Sequence, residues 1–128
     1  MIVYHLPFKM QNTLVFGASL RPNRYSHLAV LRLRENGENT FAYGLKQGSV
    51  GDVQITTNLG ELPNIDVVTL YLNPERQKLY YQDILDIEPQ KINFNPGTEN
   101  PEFYKLLRKN NIGIEVACTL VLLATGQY

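Results

Sequence analysis

Three runs in this chain, Thr13–Phe16, Thr40–Tyr43 and Asp66–Leu72, are almost continuously apolar instead of alternating between apolar and polar positions. A strand with one wet face shows period two, so a run that is apolar at nearly every position belongs to a strand covered on both sides. Further strand-like runs fall at Lys91–Phe94 and Ile114–Ala117, with a weaker one at Val53–Ile55. Between them, Ser26–Glu35, Glu75–Asp86 and Glu102–Asn110 carry helical spacing, and Phe103, Leu106 and Leu107 form one apolar stripe. Strand alternating with helix predicts an α/β chain: a Rossmann-like, doubly wound, mainly parallel sheet flanked by helices on both faces.

Punctuation supports that order. Asn73-Pro74-Glu75 and Asn100-Pro101-Glu102 each set a capping Asn, a Pro at the first helical position and an early acid, the grammar of a helix start. With 128 residues there is material for one core, so residues 1–128 are expected to form a single domain. Met1–Asn12 reads as an arm or an additional strand.

The turn after the first strand is the leading site candidate. Gly17-Ala18-Ser19 follows Phe16 directly, and a helix begins near Ser26, where dinucleotide-binding folds place their phosphate loop. Gly17 permits a tight turn, and the small Ala18 and Ser19 permit close approach of an anion to backbone N–H groups at a helix start. Arg24 and Tyr25, with Arg21, add guanidinium groups for phosphate and an aromatic face for an adenine. The spacing is not G-x-G-x-x-G, since Ser19 and Pro22 stand where the second and third glycines belong. A turn that uses small residues only for packing is the plain alternative.

The end of the second strand discriminates among nucleotides. An NAD site has an acid there for the ribose hydroxyls, whereas this chain reads Tyr43-Gly44-Leu45-Lys46. Lys46 suits an extra phosphate on the adenosine ribose, which leaves NADP or coenzyme A. Asn95-Pro96-Gly97 follows a later strand and leads into a helix, and is the second site candidate. Its alternative is a Pro-Gly turn ahead of the Asn100 cap.

Taken together, Leu14–Ser19, Arg24-Tyr25-Ser26, Val68–Pro74, Asn95–Glu102 and Ala117–Leu123 make the chain resemble the small CoA-binding proteins related to the nucleotide-binding domain of the succinyl-CoA ligase alpha subunit. The resemblance implies coenzyme A, or an acyl-CoA, lying across the C-terminal ends of a parallel sheet. By that likeness Gly17 and Ser19 sit beside phosphate, Arg24, Tyr25 and Lys46 near the adenosine phosphates, and Tyr71, Leu72, Asn73 and Pro74 border the crevice. Such proteins commonly close the second strand with Asn-Pro, which this chain lacks. Ligase activity is not implied, because the phosphorylatable histidine and the partner subunit of that enzyme have no counterpart here. The expected function is non-catalytic binding. A small NADP-dependent oxidoreductase and a protein-interaction module with a vestigial pocket are the alternatives.

Other chemistry has thin support. His5 and His27 are not spaced with acids or Cys118 as metal ligands, no Gly-x-Ser-x-Gly elbow accompanies His27, and His27 reads as a surface helical residue. Cys118, the sole cysteine, reads as packed and inert. A formal net charge of +0 gives no broad basic surface for nucleic acid or an acidic membrane, so an anion site must be local. One cysteine and no leader-like N-terminus point to the cytoplasm. The Leu120–Ala124 run is too short to span a bilayer and is expected to be a buried final helix or part of a homodimer contact.

Overall fold

The computed structural model describes residues 11–128. Residues 1–10, most of the segment read as an arm or added strand, lie outside the described residues, as does His5. In chain order the elements are β1 (Asn12–Ala18), α1 (Tyr25–Glu35), β2 (Asn39–Gly44), β3 (Gly48–Val50), β4 (Val53–Thr56), β5 (Val67–Leu70), α2 (Pro74–Gln77), α3 (Tyr81–Ile87), β6 (Lys91–Phe94), α4 (Pro101–Lys109), β7 (Gly113–Val116) and α5 (Thr119–Ala124).

The strands form one sheet in the order β3-β4-β2-β1-β5-β6-β7. All neighbouring pairs are parallel except β3 with β4, which is an antiparallel hairpin. Winding runs outward from β1 through β2 and β4, then restarts at β5 on the other side of β1. This is the doubly wound, Rossmann-like arrangement expected from the sequence, and its switch point lies between β1 and β5. The C-terminal ends of six strands therefore share one edge.

Burial explains the unbroken apolar runs. Leu14, Phe16, Val68, Leu70, Ile92 and Phe94 point to one face and pack with Ile84, Phe103 and Leu107 from α3 and α4. Val15, Ala42, Val53 and Ile55 point to the other and meet Val30 and Leu33 of α1 and Leu123 of α5. Each fully buried Leu, Ile or Phe contributes roughly 1.5–3 kcal/mol relative to exposure. Both predicted helix starts are present: the Asn73 side chain accepts from Arg76 N at 2.9 Å, and that of Asn100 from Phe103 N at 3.2 Å.

Three details depart from the sequence reading. The helix expected over Glu75–Asp86 is broken into α2, a 3-10 turn at Lys78–Tyr80, and α3. No Pro or Gly causes the break. It places the Tyr80 ring edge-on to Phe16, with centroids 5.3 Å apart, and to Tyr43 at 6.0 Å. The strand expected to reach Leu72 ends at Leu70, although Tyr71 N still donates to Phe16 O at 2.9 Å. The short β3 had no apolar run to announce it.

Candidate functional site

Sequence dictates the turn at the end of β1. Gly17 has φ +95°, and a Cβ there would stand 3.0 Å from Leu72 Cδ2, so both conformation and space call for glycine. The β1–β2 register shifts between Phe16 and Ala18, a bulge that turns the chain out of the sheet at the edge where the strands end. Gly44 closes β2 so tightly against the Ala18 carbonyl that no side chain fits between them. The end of β2 is thus shaped by close backbone approach. Leu20 then packs over Gly48 of β3.

The other half of the edge is tied by buried carboxamides. Gln77 is fully buried, and its Nε2 donates to Leu72 O at 2.7 Å and to Thr98 O at 2.8 Å, joining the loops after β5 and β6. Its Oε1 accepts from Asn100 Nδ2 at 2.9 Å. Asn95 Nδ2 donates to Thr69 Oγ1 at 2.7 Å and Leu70 O at 3.0 Å, while its Oδ1 accepts from Thr119 N at 2.9 Å. Thr69 and Thr119 hydroxyls meet at 2.8 Å, and Asn93 Nδ2 reaches Thr119 Oγ1 at 2.5 Å. Contacts thus link the Gly48 end of β3 with the loops after β1, β5, β6 and β7.

The selected residues divide by this geometry. Gly17, Ala18 and Ser19 form the turn that abuts Tyr71 and Leu72. Arg24, Tyr25 and Lys46 are exposed beside it, at the start of α1 and just beyond β2, whereas Ser26 is buried. Asn73 and Pro74 serve the start of α2, as above. Tyr71 packs its ring into the α1/α5 side of the core, and its hydroxyl lies buried beside those of Thr69 and Thr119 without hydrogen-bond geometry to either. Burial pushes its acidity well down, so the phenol stays protonated. The Asn95 side chain is consumed by internal bonds. Of that loop, Pro96 and Gly97 are exposed, and Gly97 N donates to the Glu99 carboxylate at 2.5 Å.

Gln77, Thr69 and Thr119 were not singled out by sequence. Apart from Leu72 O, five residues from Gln77, their side-chain partners stand 21 to 50 residues away, and no local pattern marks them. His27 is half-buried, not a free surface residue: its Nδ1 lies 2.9 Å from the Ser19 carbonyl. Cys118 is half-buried at the junction of β7 and α5.

The ion pairs among the described residues are Arg32–Glu35, Arg34–Asp52, Lys78–Glu75 and Lys91–Glu115. Arg21, Arg24 and Lys46, gathered at the ends of β1 and β2, belong to none of them. The start of α1 has no side-chain cap and no acid in its first turn, whereas α2 and α4 have an Asn cap and an early Glu. Open N–H groups beside unpaired cations suit an anion. Among the described residues, no group of three or more His, Cys, Asp or Glu side chains gathers as for a metal ion, and no helix is long and apolar enough to cross a membrane.

The topology and its switch point define a Rossmann-like α/β protein. More particularly, the chain belongs to the CoA binding domain family, whose sequence profile matches residues 11–124. A solved structure described as an uncharacterized protein is 39% identical, covers 93% of this chain and 98% of its own, and superposes with a TM-score of 0.87. Two further structures share the fold: cell-free ID.343 from Thermus thermophilus (21% identity, 94% and 92% coverage, TM-score 0.83) and a hypothetical protein from Pyrococcus horikoshii OT3 (22% identity, 88% and 81% coverage, TM-score 0.78). No curated protein matches the chain.

Proposed function

We propose that this chain binds coenzyme A or an acyl-CoA at the C-terminal edge of its sheet, and that it does so without catalysing a reaction. The observation that most supports this reading is the uncapped, acid-free start of α1 beside the Gly17 turn, a combination shared among the described α-helices only by α5, whose first N–H is already taken by Asn95 Oδ1. The pyrophosphate lies against Gly17, Ala18, Ser19 and the first turn of α1. Arg24, Tyr25 and Lys46 serve the adenosine and its ribose phosphate, whose extra charge makes the unpaired cations useful. Leu72, Asn73 and Pro74 border the crevice on the β5 side, and Pro96 and Gly97 border it beyond β6. Membership of the CoA binding domain family favours coenzyme A over NADP.

Calorimetric titration tests the reading. CoA is expected to bind in the micromolar range, and NADP far more weakly. Ser19→Asp sets a carboxylate against the pyrophosphate and lowers CoA affinity by at least about tenfold, or about 1.4 kcal/mol, with the melting temperature nearly unchanged. Micromolar NADP binding with no heat from CoA would overturn the proposal.

A further inference from the structure

We infer that His27 is a positioning residue for the phosphate turn: its imidazole holds the Ser19 carbonyl and thereby sets which way the Ser19–Leu20 peptide faces. This inference rests on the CoA-binding reading of that turn.

His27 stands in the first turn of α1, and its Nδ1 lies 2.9 Å from Ser19 O, across eight residues of chain. A carbonyl oxygen only accepts, so the bond requires a proton on Nδ1 and fixes the ring accordingly. The peptide that follows is planar and trans, with its C=O and N–H on opposite sides. Anchoring the carbonyl on the imidazole therefore turns the Leu20 N–H away from His27. It also withdraws a partial negative charge that would otherwise face an incoming phosphate. The rest of the turn is fixed independently: Arg21 N donates to Ser19 Oγ at 3.1 Å, and Arg24 N to Arg21 O at 3.1 Å. The Ser19–Leu20 peptide is the unit whose orientation depends on a side chain from another element. His27 thus acts on the anion through the loop, in a fold that has no glycine at the second position of the usual phosphate fingerprint.

The test compares wild type, His27→Ala and His27→Asn by CoA calorimetry and by nitrogen-15 NMR. Asn Nδ2 is as many bonds from the backbone as His Nδ1, so Asn can restore the donor. The expected results are a proton on Nδ1 in the free wild type, a Leu20 amide resonance displaced in His27→Ala, a CoA affinity about tenfold lower in that variant, and recovery of most of the loss in His27→Asn. A proton confined to Nε2, or wild-type affinity in His27→Ala, would overturn the inference. Absence of CoA binding by wild type would instead sink the proposed function, and the ring and Leu20 resonances would still decide whether His27 orients the turn.

Discussion

Replacing Asn95 by Ala separates holding the site from touching the ligand. The Asn95 side chain makes three buried hydrogen bonds, to Thr69 Oγ1, Leu70 O and Thr119 N. Each is worth about 1 kcal/mol net, and a buried group left without a partner costs about 1–3 kcal/mol. Thr119 N is the most exposed to that penalty, because Asn95 is its acceptor at the start of α5, while the threonine hydroxyl can turn to another partner. The expected loss is about 3–5 kcal/mol of unfolding free energy, a large share of the roughly 5–15 kcal/mol typical of a domain. Urea denaturation followed by circular dichroism measures it directly. Asn95→Asp should cost at least as much, since the lost amino group faces the Leu70 carbonyl with a second acceptor. A loss below about 1 kcal/mol for Asn95→Ala, or a large loss of CoA affinity at unchanged stability, would refute the assignment of this side chain to the scaffold.

Three further substitutions follow from the same structure. Gly17 and Gly97 have nearly equal positive φ, +95° and +90°, but a Cβ at Gly17 meets Leu72 at 3.0 Å whereas one at Gly97 meets nothing within 4 Å. Gly97→Ala is therefore expected to cost about 1–2 kcal/mol of strain, and Gly17→Ala about 1 kcal/mol more; equal losses in chemical denaturation would contradict the contact. Tyr128 is held mainly by burial at a pKa pushed up to about 12, with its hydroxyl 2.7 Å from Thr13 Oγ1. An acid whose folded pKa is raised stabilises fully below the unfolded value near 10 and loses that contribution as pH rises towards 12, at up to about 1.4 kcal/mol per pH unit. Tyr128→Phe should flatten that alkaline decline in melting temperature, and an unchanged slope would count against it.

The parts of the fold legible in sequence are those fixed by local chemistry. Lys91–Phe94, with Ile92 and Phe94 at alternate positions, reads as a strand to the residue, and the Asn-Pro-Glu triplets mark α2 and α4 because a capping side chain acts only three residues away. The Gly17 turn was legible for the same reason, since a strand end and a helix start bracket it. Tertiary demands were not legible. Residues 75–86 have helical spacing throughout, but the ring of Tyr80 is drawn onto Phe16 and Tyr43, and the helix yields at that point. Asn95 looked like a ligand contact because it follows a strand, whereas its carboxamide is claimed by β5 and by α5, 24 to 26 residues away in either direction. Gly44 was read only as a departure from the pattern that the resemblance implies, and the close approach of the Ala18 carbonyl to it is a tertiary contact that sequence does not announce.

The central claim is that CoA lies along the C-terminal ends of the strands. Adding CoA to nitrogen-15-labelled protein tests this residue by residue. Amide shifts are predicted at Gly17, Ser19, Leu20, Tyr25, Lys46 and Gly97, with little change at Gly37, Asn64, Gln90 and Gly113 on the opposite edge. Shifts confined to that opposite edge, or none at saturating CoA, would contradict it.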